Sequence, residues 1–113
     1  MTVMVVDAAR RDLLDRVLRR LPAGLVREVP MFGTIAVMFD GSMLVAARKD
    51  LGLLVHVSAD DDADLVTRPE AVRAEMGPGR SMGPGWIHIN PDAAQDEGTL
   101  DFWVAQALRR QAG

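Results

Sequence analysis

Along residues 31–45 an apolar alternation runs into Asp40 and Gly41 and out into a second one. Two alternating runs joined by an Asp-Gly pair predict a β-hairpin with a two-residue turn. Arg48, Lys49, Asp50, Leu51 and Gly52 then form a second turn into Leu53, Leu54, Val55, His56 and Val57, a run apolar on both faces that suits a central strand. Three successive antiparallel strands follow from this pattern. Upstream, Leu13, Leu14, Val17, Leu18 and Leu21 recur at helical spacing, with Asp7 placed to cap the helix and Pro22 and Gly24 to end it.

Downstream, Ser58 and the acids Asp60, Asp61, Asp62 and Asp64 open a short helix limited by Pro69, since carboxylates favour the positive end of the helix dipole. Alternation is weak over residues 71–76, where a short extended segment is expected, and residues 77–85 read as a glycine-rich loop. Trp86, Ile87, His88, Ile89 and Asn90 alternate as a strand that Pro91 stops. A closing helix carries Leu100, Trp103, Val104, Ala107 and Leu108 on one stripe, with Asp96 or Thr99 at its start and Arg109 and Arg110 at its end. The order α-β-β-β-α-β-β-α, with hairpin-length links, predicts a two-layer α+β domain: an antiparallel sheet of about five strands packed on helices. A doubly wound parallel sheet is disfavoured, because the first three strands lack crossover helices.

The 113 residues match one domain, 1–113, large enough to hold its own core. Without cysteine the chain has no disulfide, no thiolate nucleophile and no cysteine-based metal site, which favours a reducing compartment. No secretory leader is expected, since the apolar start is short, and no run reaches the ~18 apolar residues of a membrane span. A cytoplasmic location is the expectation. The net charge of −3 is unevenly spread: residues 1–30 hold six arginines against four acids, whereas residues 58–101 hold ten acids against three arginines. On the first helix Asp12 precedes Arg16, and Asp15 precedes Arg19, at the spacing of intrahelical ion pairs. Such a paired face has little net charge for phosphate, so specific nucleic-acid binding is not expected.

Candidate chemistry is sparse. Asp60, Asp62 and Asp64 mimic the first ligands of an EF-hand, but Leu65 stands where its glycine belongs and Ala71 where its glutamate belongs. In the loop at residues 77–85, glycine amides and Arg80 could face an anion, yet the loop leads into a strand and lacks the Gly-Lys-Ser/Thr of a P-loop, so a connector is favoured. His56 and His88 lie mid-strand; two histidines without a third ligand make a poor metal site, and structural histidines are favoured. Ser42, Ser58 and Ser81 sit in turns without the elbow of a hydrolase nucleophile. Met31, Met38, Met43, Met76 and Met82, with Phe32, Phe39, Trp86 and Trp103, read first as core and second as an adaptable partner groove.

Taken in order, several segments resemble the N-terminal domain of the TfoX/Sxy family. The carriers are Met31, Phe32, Gly33, Thr34; Leu53, Leu54, Val55, His56; Thr67, Arg68, Pro69; Gly79, Arg80, Ser81, Met82, Gly83, Pro84, Gly85, Trp86, Ile87; and Leu100, Asp101, Phe102, Trp103, Val104. The resemblance implies a small α+β fold and a link to regulators of natural competence and transcription, and it implies no catalytic residues. Against the family pattern, Thr34 replaces a second glycine, His56 replaces a strand arginine, and Gly83 and Pro84 stand where a lysine is usual, leaving Arg80 of three basic groups. The family's two-domain regulators add a helical second domain; a stand-alone domain is expected here.

These readings together predict a small non-enzymatic regulatory module acting through an unidentified protein partner, with self-association as one form of contact. Neither a cofactor nor a metal is expected. The alternative is a binder of a small anion, or an enzyme using one, centred on Arg80 with His56 or His88.

Overall fold

The computed structural model describes residues 2–31 and 33–113, so Phe32, one residue of the first resembling segment, lies outside the described residues. The chain runs α1 (Thr2–Leu18), β1 (Val26–Met31), β2 (Thr34–Phe39), β3 (Ser42–Ala47), β4 (Leu53–His56), α2 (Ala59–Leu65), β5 (Ala71–Arg73), β6 (Glu75–Gly77), β7 (Arg80–Ser81), β8 (Trp86–Ile89), α3 (Pro91–Ala94) and α4 (Glu97–Ala112). Six strands pair antiparallel in the order β1-β2-β3-β4-β8-β5, and β6 and β7 form a separate ribbon. The fold is therefore α+β, built on an antiparallel sheet, as the hydrophobic pattern predicts.

The hairpin at the centre of that pattern is β2–β3. Asp40 and Gly41 both have positive φ, 49° and 85°, the signature of the type I′ turn whose twist suits a two-residue hairpin. A bulge follows: Val37 faces Val45, but Met38 faces Met43, leaving Leu44 as the extra residue. Leu44 and Val45 thus both point into the main core, where strict alternation allows only one of them.

That core lies between one sheet face and the long helices. Leu13, Leu14 and Val17 of α1 and Leu100, Trp103, Val104 and Ala107 of α4 meet Val37, Val45, Ala47, Leu53, Val55, Ile87 and Ile89. The caps follow the sequence at α2, where Ser58 accepts from the Asp60 amide, and at α4, where Asp96 accepts from the Thr99 amide at 2.9 Å.

Several expectations need correction. Helix α1 begins at Thr2, so Asp7 lies within it instead of capping it. Strand β1 is an additional strand, exposed along an edge of the sheet, and Pro91 opens the short helix α3 behind an Asn90 cap. The spacing-derived pairs Asp12–Arg16 and Asp15–Arg19 give way to other partners, long-range for Arg16 and local for Asp15. Arg16, only 5% exposed, donates to Glu97 at 2.7 Å and to the Ala94 and Gln95 carbonyls. Arg20 pairs with Glu97 and Asp101, and Asp15 pairs with Arg11. A helix-surface pair gains only a few tenths of a kcal/mol, so satisfying the desolvated carbonyls at the end of α3 decides where Arg16 points.

Candidate functional site

The face of the sheet turned away from α1 and α4 is built from alternate residues of the same strands. Ala36, Ala46 and Leu54 form its floor together with Ala74, and Met38, Met43, Met82 and Trp86 pack around them. Small alanines leave room for long, adaptable methionines, and no helix of the main core covers this side. His56, opposite Trp86 across the β4–β8 ladder, stacks on the indole with centroids 3.8 Å apart and planes 9° from parallel. Burial pushes the His56 pKa down and the field of Arg110 adds to this, while a hydrogen bond to the Met43 backbone opposes it.

His88 stands on the same face, opposite Leu54 in one ladder and Val72 in the other. The two histidines are consecutive outward residues on neighbouring strands, not directly opposed, and each has its own surroundings. His88 Nε2 is buried without a hydrogen-bond partner among the described residues, beneath Gly52, where a methyl group would lie 2.4 Å from it. Burial lowers its pKa, Arg48 lowers it further, and Asp50 opposes both. Among the described residues, no group of three or more His, Asp or Glu side chains is placed to hold a metal ion.

Arg80 lies on the β6–β7 ribbon and is exposed. Three amides of the loop are already engaged. Met82 N–H bonds the Ala74 carbonyl at 2.9 Å, Gly83 N–H the Ser81 hydroxyl at 3.0 Å, and Gly85 N–H the Asp62 carboxylate at 2.8 Å. Arg80→Ala is therefore expected to change stability by no more than about 0.5 kcal/mol, as for other solvated side chains, and urea unfolding of the variant checks this.

What holds this glycine-rich segment in place is a part-buried pair invisible to local sequence patterns. Asp62, 4% exposed, accepts from Arg73 Nη1 at 2.8 Å as well as from Gly85, and the same Nη1 donates to the Gly83 and Trp86 carbonyls at 2.8 and 3.0 Å. One guanidinium thus clamps α2 to the loop and, through Trp86, fixes one edge of the methionine-lined face. Asp62 reads as a capping acid in the sequence, and Arg73 sits where alternation is weak; only the fold brings them together.

The aromatic and methionine residues divide between the two sides. Trp103 and Phe39 belong to the main core, Met31 and Met76 are exposed at 40% and 65%, and Val72 adds a 55%-exposed apolar side chain beside His88. Among the described residues no helix is long and apolar enough to cross a membrane. The family model of the TfoX N-terminal domain matches residues 17–111. No curated protein and no solved structure matches the chain.

Proposed function

Because the chain belongs to the TfoX N-terminal domain family, we propose that it is a small, non-enzymatic module of the cytoplasm that works in regulation through protein contacts. Its docking surface is the methionine-lined face of the sheet. The observation that supports this reading is the grouping of Met38, Met43, Met82 and the stacked His56 and Trp86 on one side, with Val72 and Met76 exposed nearby. Flexible thioethers around a rigid aromatic pair repack against an apolar partner at little cost, and a contiguous apolar patch is rare on a surface that binds nothing. The competence and transcription setting comes from the family resemblance.

The test is photo-crosslinking in living cells from a reactive amino acid placed at Met76 or Val72, with Ala105 on the exposed side of α4 as the control position. One discrete cross-linked species from both sheet-side positions, absent from Ala105, is the expected result, and a second copy of this chain is one identity it could have. Cross-links that do not depend on the face, or that arise only from Ala105, contradict the proposal.

A further inference from the structure

A cleft between two turns lies at the end of the sheet near His88. The β1–β2 turn and the β3–β4 turn lie side by side and enclose a cleft of about 220 Å³ lined by Gly33, Thr34, Arg48, Lys49 and Asp50. Lys49 lies across Gly33: a methyl group there would sit 2.4 Å from its Cε and 3.0 Å from its Nζ, and Gly33 has φ +80°. Glycine is what lets the ammonium settle against the turn backbone. Arg10 of α1 holds the same turn from behind, donating to the Gly33 carbonyl at 2.9 Å.

Arg11, Arg16, Arg20, Arg68 and Arg73 are each paired with a carboxylate. Among the described residues Arg48 and Lys49, like Arg19, Arg27, Arg80 and Arg110 elsewhere, have no carboxylate partner, and here two such cations line one cleft. Asp50, the one acid in the wall, accepts the Gly52 amide at 2.8 Å with Oδ1 and so braces the turn.

We propose that this cleft binds the phosphoryl group of a small phosphomonoester, with Lys49 and Arg48 as its cationic contacts. A guanidinium fork and an ammonium can reach the oxygens of one phosphoryl group together, and Asp50 brings the formal charge of the lining side chains to +1. The volume lies below the roughly 300 Å³ at which pockets enclose drug-sized ligands, so the phosphoryl group enters and the rest of the ligand projects outward. The free lone pairs of Asp50 favour a neighbouring hydroxyl on the ligand and disfavour a second anionic group.

The experiment is a ¹H–¹⁵N correlation titration of the whole chain at fixed ionic strength with glycerol 3-phosphate and inorganic phosphate, and with acetate as the control anion. Saturable shifts confined to the amides of Gly33, Thr34, Lys49, Asp50 and Gly52 are expected, with binding at least tenfold weaker in Lys49→Ala and Arg48→Ala and unchanged in Arg80→Ala. Glycerol 3-phosphate binding more tightly than inorganic phosphate identifies the monoester as the ligand class. The proposal is overturned by shifts that do not saturate, by acetate reproducing them, by inorganic phosphate binding as tightly as the monoester, or by Lys49→Ala binding as the wild type does.

Discussion

Replacing Trp103 by alanine is expected to lower the free energy of unfolding by about 3–5 kcal/mol, a large share of what a domain of this size possesses. Trp103 is wholly buried in the main core on α4, and Phe102 meets it edge-on at 5.3 Å. Its indole Nε1 also donates to Glu70 at 2.9 Å, and Glu70 pairs with Arg68, whose guanidinium lies 4.0 Å above the Phe102 ring. Burial pushes the Glu70 carboxyl up, but the bonds from Arg68 and Trp103 outweigh it and hold the group below the usual range. Truncation thus opens a cavity and strips a carboxylate of one donor. Trp103→Phe separates the two, retaining much of the ring while losing the N–H, and should cost about 1–3 kcal/mol less the part that Arg68 recovers. Urea midpoints of the three proteins decide the matter; an unchanged midpoint for Trp103→Ala would place the residue outside the cooperative core.

The features legible in the sequence are those fixed by neighbours a few residues apart. Asp40 and Gly41 specify their turn because both must take positive φ, and the stripes of α1 and α4 repeat at helical spacing, so the two-layer architecture follows from local pattern. Strand β1 escapes because Arg27, Glu28 and Pro30 interrupt its alternation, and an edge strand with most residues exposed has little need of alternation. The ribbon β6–β7 escapes because glycine and proline signal a loop whether or not its flanks pair. For the candidate surfaces the obstacle is different. Met38, Met43, Met82 and Trp86 come from three strands and a loop, and their meeting depends on sheet order, in particular on β8 lying between β4 and β5. Arg48 and Lys49 are ordinary turn residues until β1 and β2 bring Gly33 beside them. Arg16 and Asp62 fail the simplest expectation, that charged residues on helices face water, since each satisfies backbone groups that the fold has desolvated.

Arg73→Ala is expected to cost about 3 kcal/mol at neutral pH, at the lower end of the range for breaking a buried pair because the arginine side chain is 30% exposed. The loss exceeds a surface ion pair because Asp62 stays buried and charged, with only the Gly85 amide left to it, and the Gly83 and Trp86 carbonyls lose their shared donor. The effect also has a direction in pH. Hydrogen bonds from Arg73 hold the Asp62 carboxyl below its ordinary value, burial opposes them, and the Gly85 amide adds to them. A carboxyl whose folded pKa lies below its unfolded value of about 3.9 contributes stability that is complete above that value and lost as pH falls through the folded one. The gap in unfolding free energy between wild type and Arg73→Ala should therefore be widest at pH 6–7 and shrink below about pH 4, as Asp62 takes a proton and no longer needs the guanidinium. Urea titrations across that range read the gap directly, and a gap independent of pH would show that Arg73 contributes packing and carbonyl contacts without the charge of Asp62. Amide exchange supplies the local readout. Gly85 N–H, held at 2.8 Å by Asp62, should exchange faster in the variant than in the wild type, while the amides of α4 exchange with the global change alone, because the clamp acts on the loop between the ribbon and β8 and not on the helical layer.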